Sequence, residues 1–253
     1  MNLVILQARM SSMRLPGKVM MQVGNKPMIM RQIDRIKQSR LVDNIVVATS
    51  IDSSDDELVE YLTQQGIDTS RGSLEDVFSR YLEIVSGMTP DSVIRLTADC
   101  PLVMPELIDE MVTKFLEIKV DCLSNTIRPT FPDGLDIEIF TPQAMMRLAT
   151  FDLTKAEREH VTAGLYSRPN EFSVFNFESA EDLSNERWTV DYLEDLTFVR
   201  MVYEKFIGAE SKFDLGDMLT LLSCEPSLRT AISPDRRNEK LNLISSEEKT
   251  TYV

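Results

Sequence analysis

A chain of 253 residues with 43% hydrophobic content can bury one substantial core, so a single domain is expected. Its 41 acidic side chains outnumber 27 basic ones, and a net charge of -14 excludes nucleic acid and anionic membrane surfaces as expected partners. The three cysteines, Cys100, Cys122 and Cys224, lack the paired spacing of a zinc or redox motif and read as reduced, buried thiols.

The first ten residues, MNLVILQARM, hold only a short apolar run before Arg9. This is not the basic-then-hydrophobic layout of a signal peptide, and no segment approaches the roughly 20 apolar residues of a membrane span, so a cytoplasmic location is expected. Residues 2–8, 44–50 and 92–99 read as β-strands, with helical patterns over 28–38, 55–65, 76–86 and 105–118. The alternation predicts parallel βαβ units in a Rossmann-like α/β domain with helices on both faces. The first two strands are apolar on both sides, as interior strands are. In the second half, 135–141 and 171–178 read as strands with a helix over 142–149 between them. Thr154 followed by Glu157 is a capping-box pattern that predicts a helix over 155–167, and a last helix covers 213–224. Residues 233–253 are polar and have no apolar period; they are expected to be a flexible or loosely docked tail outside a domain of residues 1–232.

The segment Gln7-Ala8-Arg9-Met10-Ser11-Ser12-Met13-Arg14-Leu15-Pro16-Gly17-Lys18 directly follows the first strand, at the carboxyl edge where open parallel sheets bind ligands. Three cations, Arg9, Arg14 and Lys18, gather there in a strongly acidic protein. Gly17 lets the backbone pass close to a phosphate, Pro16 fixes the turn, and main-chain N–H groups and the cations can hold phosphate oxygens. It is not a Walker A loop: Ser12 stands where the first glycine should be, and Val19 replaces the Ser or Thr.

This segment resembles the N-terminal A-R-x-x-S-x-R-L-P-G-K signature of the sugar-acid cytidylyltransferases, the family of the CMP-Kdo and CMP-sialic acid synthetases. Further runs are similar to the branch typified by the spore-coat polysaccharide protein SpsF. They are Arg71-Gly72-Ser73, Asp76-Val77, Arg80-Tyr81, the run from Arg95 to Leu102, the run from Phe131 to Asp136, the run from Arg158 to Thr162, and Trp188-Thr189-Val190-Asp191 before Glu194-Asp195-Leu196. The likeness spans roughly residues 1 to 225. It implies a sheet of the nucleotide-diphospho-sugar transferase type and transfer of CMP from CTP to an acidic keto-sugar in polysaccharide or glycoconjugate synthesis. It also implies a homodimer and CTP contacts from Ala8, Arg9, Ser12, Gly17, Lys18, Arg71 and Ser73.

Asp99 ends its strand before Cys100-Pro101, so its carboxylate projects at the sheet's carboxyl edge beside the loop. Mg²⁺ prefers carboxylate, phosphate and water oxygens, and Asp191, after the apolar run 188–190, is the best second ligand; the resemblance places the family's second metal aspartate there as well. Helix capping is the alternative role for each of the two. In such a reaction the sugar hydroxyl attacks the α-phosphorus, with Lys18 and Arg14 stabilising charge. Alternation puts Asp136 and Glu138 on one strand face, which meets either the sugar (or the metal) or plain solvent. Asp133-Gly134 forms a flexible entry to that face, and Arg128 is a candidate partner for a substrate carboxylate. His160, the single histidine, is expected on a helix, where packing is the commoner role; the resemblance favours a place beside the acceptor. Two other readings are a nucleotide-sugar-dependent glycosyltransferase and a nucleotide-binding regulatory protein. The first needs a D-x-D triplet that Asp136-Ile137-Glu138 only approximates.

Overall fold

The structure, a computed structural model, describes residues 1–232. In chain order, β1 (Asn2–Gln7) leads through the loop to a small ribbon, β2 (Gln22–Val23) with β3 (Lys26–Pro27), and then to α1 (Met28–Ile36) and β4 (Asn44–Ser50). There follow α2 (Asp56–Gln64), β5 (Asp68–Gly72), α3 (Val77–Met88), β6 (Ser92–Thr97), α4 (Pro105–Ile118) and β7 (Cys122–Ser124). The rest comprises β8 (Glu138–Phe140), α5 (Pro142–Leu148), α6 (Lys155–Glu159), α7 (Ala163–Tyr166), β9 (Val174–Asn176), α8 (Leu193–Lys205) and α9 (Leu215–Cys224).

Seven strands form one sheet in the order β5-β4-β1-β6-β8-β7-β9, parallel except for β8, which runs against both neighbours. In β1, the central strand of the parallel half, Val4 and Leu6 point to the layer of α1, α2, α4, α8 and α9, whereas Leu3 and Ile5 point to the layer of α3, α5 and α7; all four are fully buried. Each such side chain contributes about 1.5–3 kcal/mol of transfer free energy, so the apolar run that marks β1 as interior is also what fixes it there.

Several expected boundaries shift. The strand expected over 135–141 shortens to β8 because the buried Asn125 side chain takes the place of a strand neighbour, donating to the Leu135 carbonyl (2.7 Å) and accepting from Ile137 N (2.9 Å). The helix expected over 155–167 keeps its capping box at Thr154 and Glu157 but breaks into α6 and α7 around Val161, whose φ is +49°. Cys100 and Cys122 are buried free thiols, but Cys224 is exposed, contrary to expectation. The tail expected over 233–253 lies outside the described residues. Among the described residues no helix is long and apolar enough to cross a membrane.

Candidate active site

Beyond Gln7 the chain leaves the sheet at its carboxyl edge. Ala8 N still donates to the Ala48 carbonyl at 3.1 Å, and Ala98 N donates to the Gln7 carbonyl at 2.9 Å, so the rim beneath the loop is rigid. The Met10 carbonyl then accepts from Ser12 N (2.9 Å) and Gly17 N (2.8 Å), which closes the loop and occupies two of the amides expected to face phosphate. Gly17 has φ +73°, and a Cβ there would meet nothing closer than 3.6 Å; the backbone angle, not space, calls for glycine. A short 3-10 turn, Lys18–Met20, buries Lys18 and Val19 and so turns the lysine inward. The loop is also tied to β4 through Asp55. This fully buried carboxylate accepts from Met10 N (2.7 Å), Thr49 Oγ1 (2.9 Å) and Ser50 N (3.0 Å).

Lys18 Nζ reaches three oxygens: Asp99 Oδ2 at 3.2 Å, Asp191 Oδ1 at 3.1 Å and the Val190 carbonyl at 2.7 Å. Arg14 binds the same Asp191 Oδ1 at 2.7 Å and lies 5.3 Å from the centre of the Tyr192 ring. The two aspartates are joined through their main chains as well, since Val190 N donates to the Asp99 carbonyl (2.8 Å) and Thr189 Oγ1 donates to it at 3.2 Å. Arg9, Ser12, Arg14, Lys18, Asp99 and Asp191 line one cleft, with Gln7 and Thr97 on its floor. The residues expected to hold phosphate and metal therefore meet, although Asp191 comes from a segment remote in sequence.

Burial by itself favours neutral forms of both partners, but the ion pair outweighs it. Lys18 is held charged, its pKa raised by Asp99 and Asp191, and Asp99 is drawn down to about 2 by the Lys18 ammonium. The carboxylates of Asp99 and Asp191 converge on the Lys18 ammonium, and their hard oxygens fit Mg²⁺, which completes its shell with water and phosphate once Lys18 and Arg14 turn to the triphosphate. Among the described residues no cluster of three or more His, Cys, Asp or Glu forms a self-sufficient metal cage, so Asp99 and Asp191 alone would hold the ion from the protein side.

The other predicted residues lie elsewhere along the edge. Arg71 sits within β5; its guanidinium donates to the Ser50 and Asp52 carbonyls (2.8 and 3.0 Å) and pairs with Asp56 at 2.7 Å. Ser73 accepts from Asp76 N at 3.0 Å. Neither lines the cleft of Lys18. Asp136 is partly exposed, but Glu138 corrects the expected acidic face: it is 5% exposed, pairs with Arg95 across β6 and β8, and accepts from the Thr162 hydroxyl at 2.6 Å and from Tyr166. His160 ends α6 half-buried, with burial lowering its pKa, so the imidazole is neutral near pH 7. Arg128 is exposed and pairs with Glu178 at 2.7 Å. Asp133 faces Arg187 at 3.7 Å, and Gly134, at φ +107°, has its Cα against the main chain of Trp188 and Thr189. Sequence reasoning missed Arg187 and Asp55, each of which ties neighbours in sequence to one remote residue, Asp133 for Arg187 and Met10 for Asp55; only the position of Arg187 just ahead of the run to Asp191 hinted at it.

The cytidylyltransferase family profile matches residues 3–211. The chain is 31% identical over 240 residues to the spore coat polysaccharide biosynthesis protein SpsF of Bacillus subtilis, covering 92% of this chain and 98% of that protein. A 3-deoxy-manno-octulosonate cytidylyltransferase of Pelobacter propionicus is 29% identical over 134 residues, 49% of each chain. A cytidylyltransferase structure from Leptospira borgpetersenii superposes with a TM-score of 0.85 at 31% identity, covering 90% of this chain and 95% of that one. With a closed loop of cations facing paired aspartates at the sheet edge, and a family profile that spans most of the chain, this protein belongs to the cytidylyltransferase family, enzymes that act on CTP.

Proposed function

We propose that the chain transfers CMP from CTP to a hydroxyl of an acidic sugar, releasing pyrophosphate. The observation that carries the reading is the meeting of Lys18, Arg14, Asp99 and Asp191 in one cleft at the end of an interior strand. In the reaction the sugar oxygen bonds to the α-phosphorus, the bond from that phosphorus to the bridging oxygen breaks, and the hydroxyl proton passes to water. No side-chain nucleophile is needed, since the work is positioning and charge neutralisation. Lys18 and Arg14 are the cations placed to neutralise the α-phosphate and the leaving group. Mg²⁺ held by Asp99 and Asp191 would supply further charge neutralisation at the phosphates. Ala8, Arg9, Ser12 and Gly17 would frame the triphosphate, with Arg71 and Ser73 towards the nucleoside.

For the acceptor we assign Arg128, Asp133, Asp136 and His160 to the sugar side, with Arg128 the partner of the sugar carboxylate; Glu138 instead supports Arg95. The relatives named for spore coat polysaccharide biosynthesis and as 3-deoxy-manno-octulosonate cytidylyltransferases support a place in polysaccharide or glycoconjugate synthesis, and we propose a cytoplasmic, homodimeric enzyme. A glycosyltransferase loses its motif here, because Glu138, the last member of the approximate D-x-D triplet, is buried against Arg95.

The test incubates purified protein with Mg²⁺ and CTP, UTP or ATP against a panel of keto-sugar acids and neutral sugars, and measures pyrophosphate. Release is expected with CTP and at least one sugar acid. Failure with every acid, or equal use of neutral sugars, would sink the proposal.

A further inference from the structure

Asp191 is held by three cations, and they differ in kind. Arg14 and Lys18 both approach Oδ1, at 2.7 and 3.1 Å, and both line the cleft. Arg187 approaches the other oxygen, Oδ2, at 2.9 Å; its side chain is 10% exposed and does not line the cleft. The same guanidinium donates to the Thr189 carbonyl at 3.2 Å and pairs with Asp195 Oδ1 at 3.1 Å, with Asp133 Oδ2 at 3.7 Å. Asp195, 1% exposed, in turn accepts from Asp191 N (2.8 Å) and Tyr192 N (2.9 Å) through Oδ2, so the main chain of Asp191 is pinned to the start of α8 while Arg187 pins its carboxylate.

A triphosphate entering the cleft can recruit Lys18 and Arg14, which already face it. Arg187 has no such choice, because it is enclosed among three carboxylates, Asp191 and Asp195 ahead of it in its own stretch and Asp133 from another. One oxygen of Asp191 therefore stays occupied from behind while the other is released toward the ligand. From this arrangement we infer that Arg187 is the positioning residue that restricts Asp191 to a single metal-binding oxygen, Oδ1, aimed at the cleft. A carboxylate free at both oxygens turns about its Cβ–Cγ bond and loses that aim. A buried guanidinium fork, fixed by two aspartates and a carbonyl, has little freedom to follow it. The inference rests on the proposed metal site at Asp99 and Asp191.

The test compares wild type, Arg187→Met and Arg187→Lys. Loss of the free Mn²⁺ electron paramagnetic resonance signal on titration into protein saturated with CTP in the absence of acceptor, against a titration of CTP alone, measures metal affinity. The Mg²⁺ concentration giving half-maximal pyrophosphate release, and the KM for CTP at saturating Mg²⁺, are measured beside it, with thermal unfolding of each variant as a record of folding. Arg187→Met is expected to weaken Mn²⁺ at least tenfold and to raise the Mg²⁺ requirement in step. The KM for CTP moves less than threefold, and Arg187→Lys restores part of the loss. A merely structural arginine would lower the unfolding temperature and leave metal dependence within twofold, which would overturn the inference. If Arg187→Met fails to fold, Arg187→Lys decides: it keeps the buried charge but cannot serve Asp191 and Asp195 together, and unchanged metal dependence in it is the same refutation. Pyrophosphate release by a wild type that binds no Mn²⁺ overturns the inference and leaves nucleotidyl transfer standing. Weakened Mn²⁺ binding in a protein that turns over no nucleotide does the reverse.

Discussion

The single lysine ammonium between Asp99 and Asp191 shows which residues a sequence can announce. Asp99 was legible because it sits where a strand signal gives way to a turn signal, and Arg14 and Lys18 because they lie in the loop that follows an interior strand; parallel sheets place such positions on one edge. Arg187, Asp55 and the Arg95–Glu138 pair were not, because their roles depend on register. Arg95 meets Glu138 only because β8 runs antiparallel beside β6, which no local pattern states. The Asp99 pair also has a consequence for pH. Its folded pKa of about 2 lies below the ordinary 3.8, so its interaction with Lys18 stabilises the fold above about pH 4 and is lost as pH falls toward 2. Wild type should be more stable than Asp99→Asn at pH 7 by roughly 1–2 kcal/mol, allowing for the partial exposure of the carboxylate, and the gap should close between pH 4 and pH 2. Thermal unfolding of both proteins across that range measures it, and a gap that persists at pH 2 would show that Lys18 is not its origin.

Among the elements, periodicity held where a helix simply covers the sheet: α4 begins and ends as its apolar spacing and Pro105 predict. It failed where a tertiary need intervened. Residues 155–167 carry a helical pattern, yet the chain turns at Val161 and brings the Thr162 hydroxyl to within 2.6 Å of buried Glu138. A buried carboxylate without donors costs more than one interrupted helix, so its requirement prevails. Gly134 is a second such point. The sequence suggested a flexible entry to the acidic strand, but the structure makes it a close packing point: a Cβ there would lie 2.6 Å from Thr189 N and 2.7 Å from the Trp188 carbonyl carbon, at a φ of +107°. Gly134→Ala combines left-handed strain with overpacking against main chain and should lose roughly 2–4 kcal/mol. Because the displaced segment carries Asp191, nucleotide turnover should fall along with stability. Chemical denaturation that finds the variant within about 0.5 kcal/mol of wild type would mean that the 188–191 segment yields easily.

At the scale of the whole molecule, a net charge of -14 repels a polyphosphate, and the cleft cations are not idle while they wait for one. Lys18 and Arg14 already neutralise Asp99 and Asp191. A bare triphosphate that drew them away would leave Asp99 without its ammonium and Asp191 with Arg187 alone, and the Coulomb cost would cancel much of what the phosphates gain. A divalent ion arriving with the nucleotide removes the conflict, because it satisfies the carboxylates as the lysine and arginine turn to phosphate. Binding of CTP and Mg²⁺ should therefore be strongly coupled, and coupling of this kind appears as stabilisation of the entire fold. At a ligand concentration of 100 times Kd the gain is about 2.7 kcal/mol, which for a domain this large raises the unfolding temperature by roughly 5–10 °C. CTP in the presence of EDTA, or Mg²⁺ alone, should shift it by no more than about 2 °C at the same concentrations. Differential scanning fluorimetry separates these cases. If CTP with EDTA stabilises the protein as much as CTP with Mg²⁺ does, the cations of the loop bind triphosphate without releasing the aspartates, and the charge exchange at the cleft does not occur.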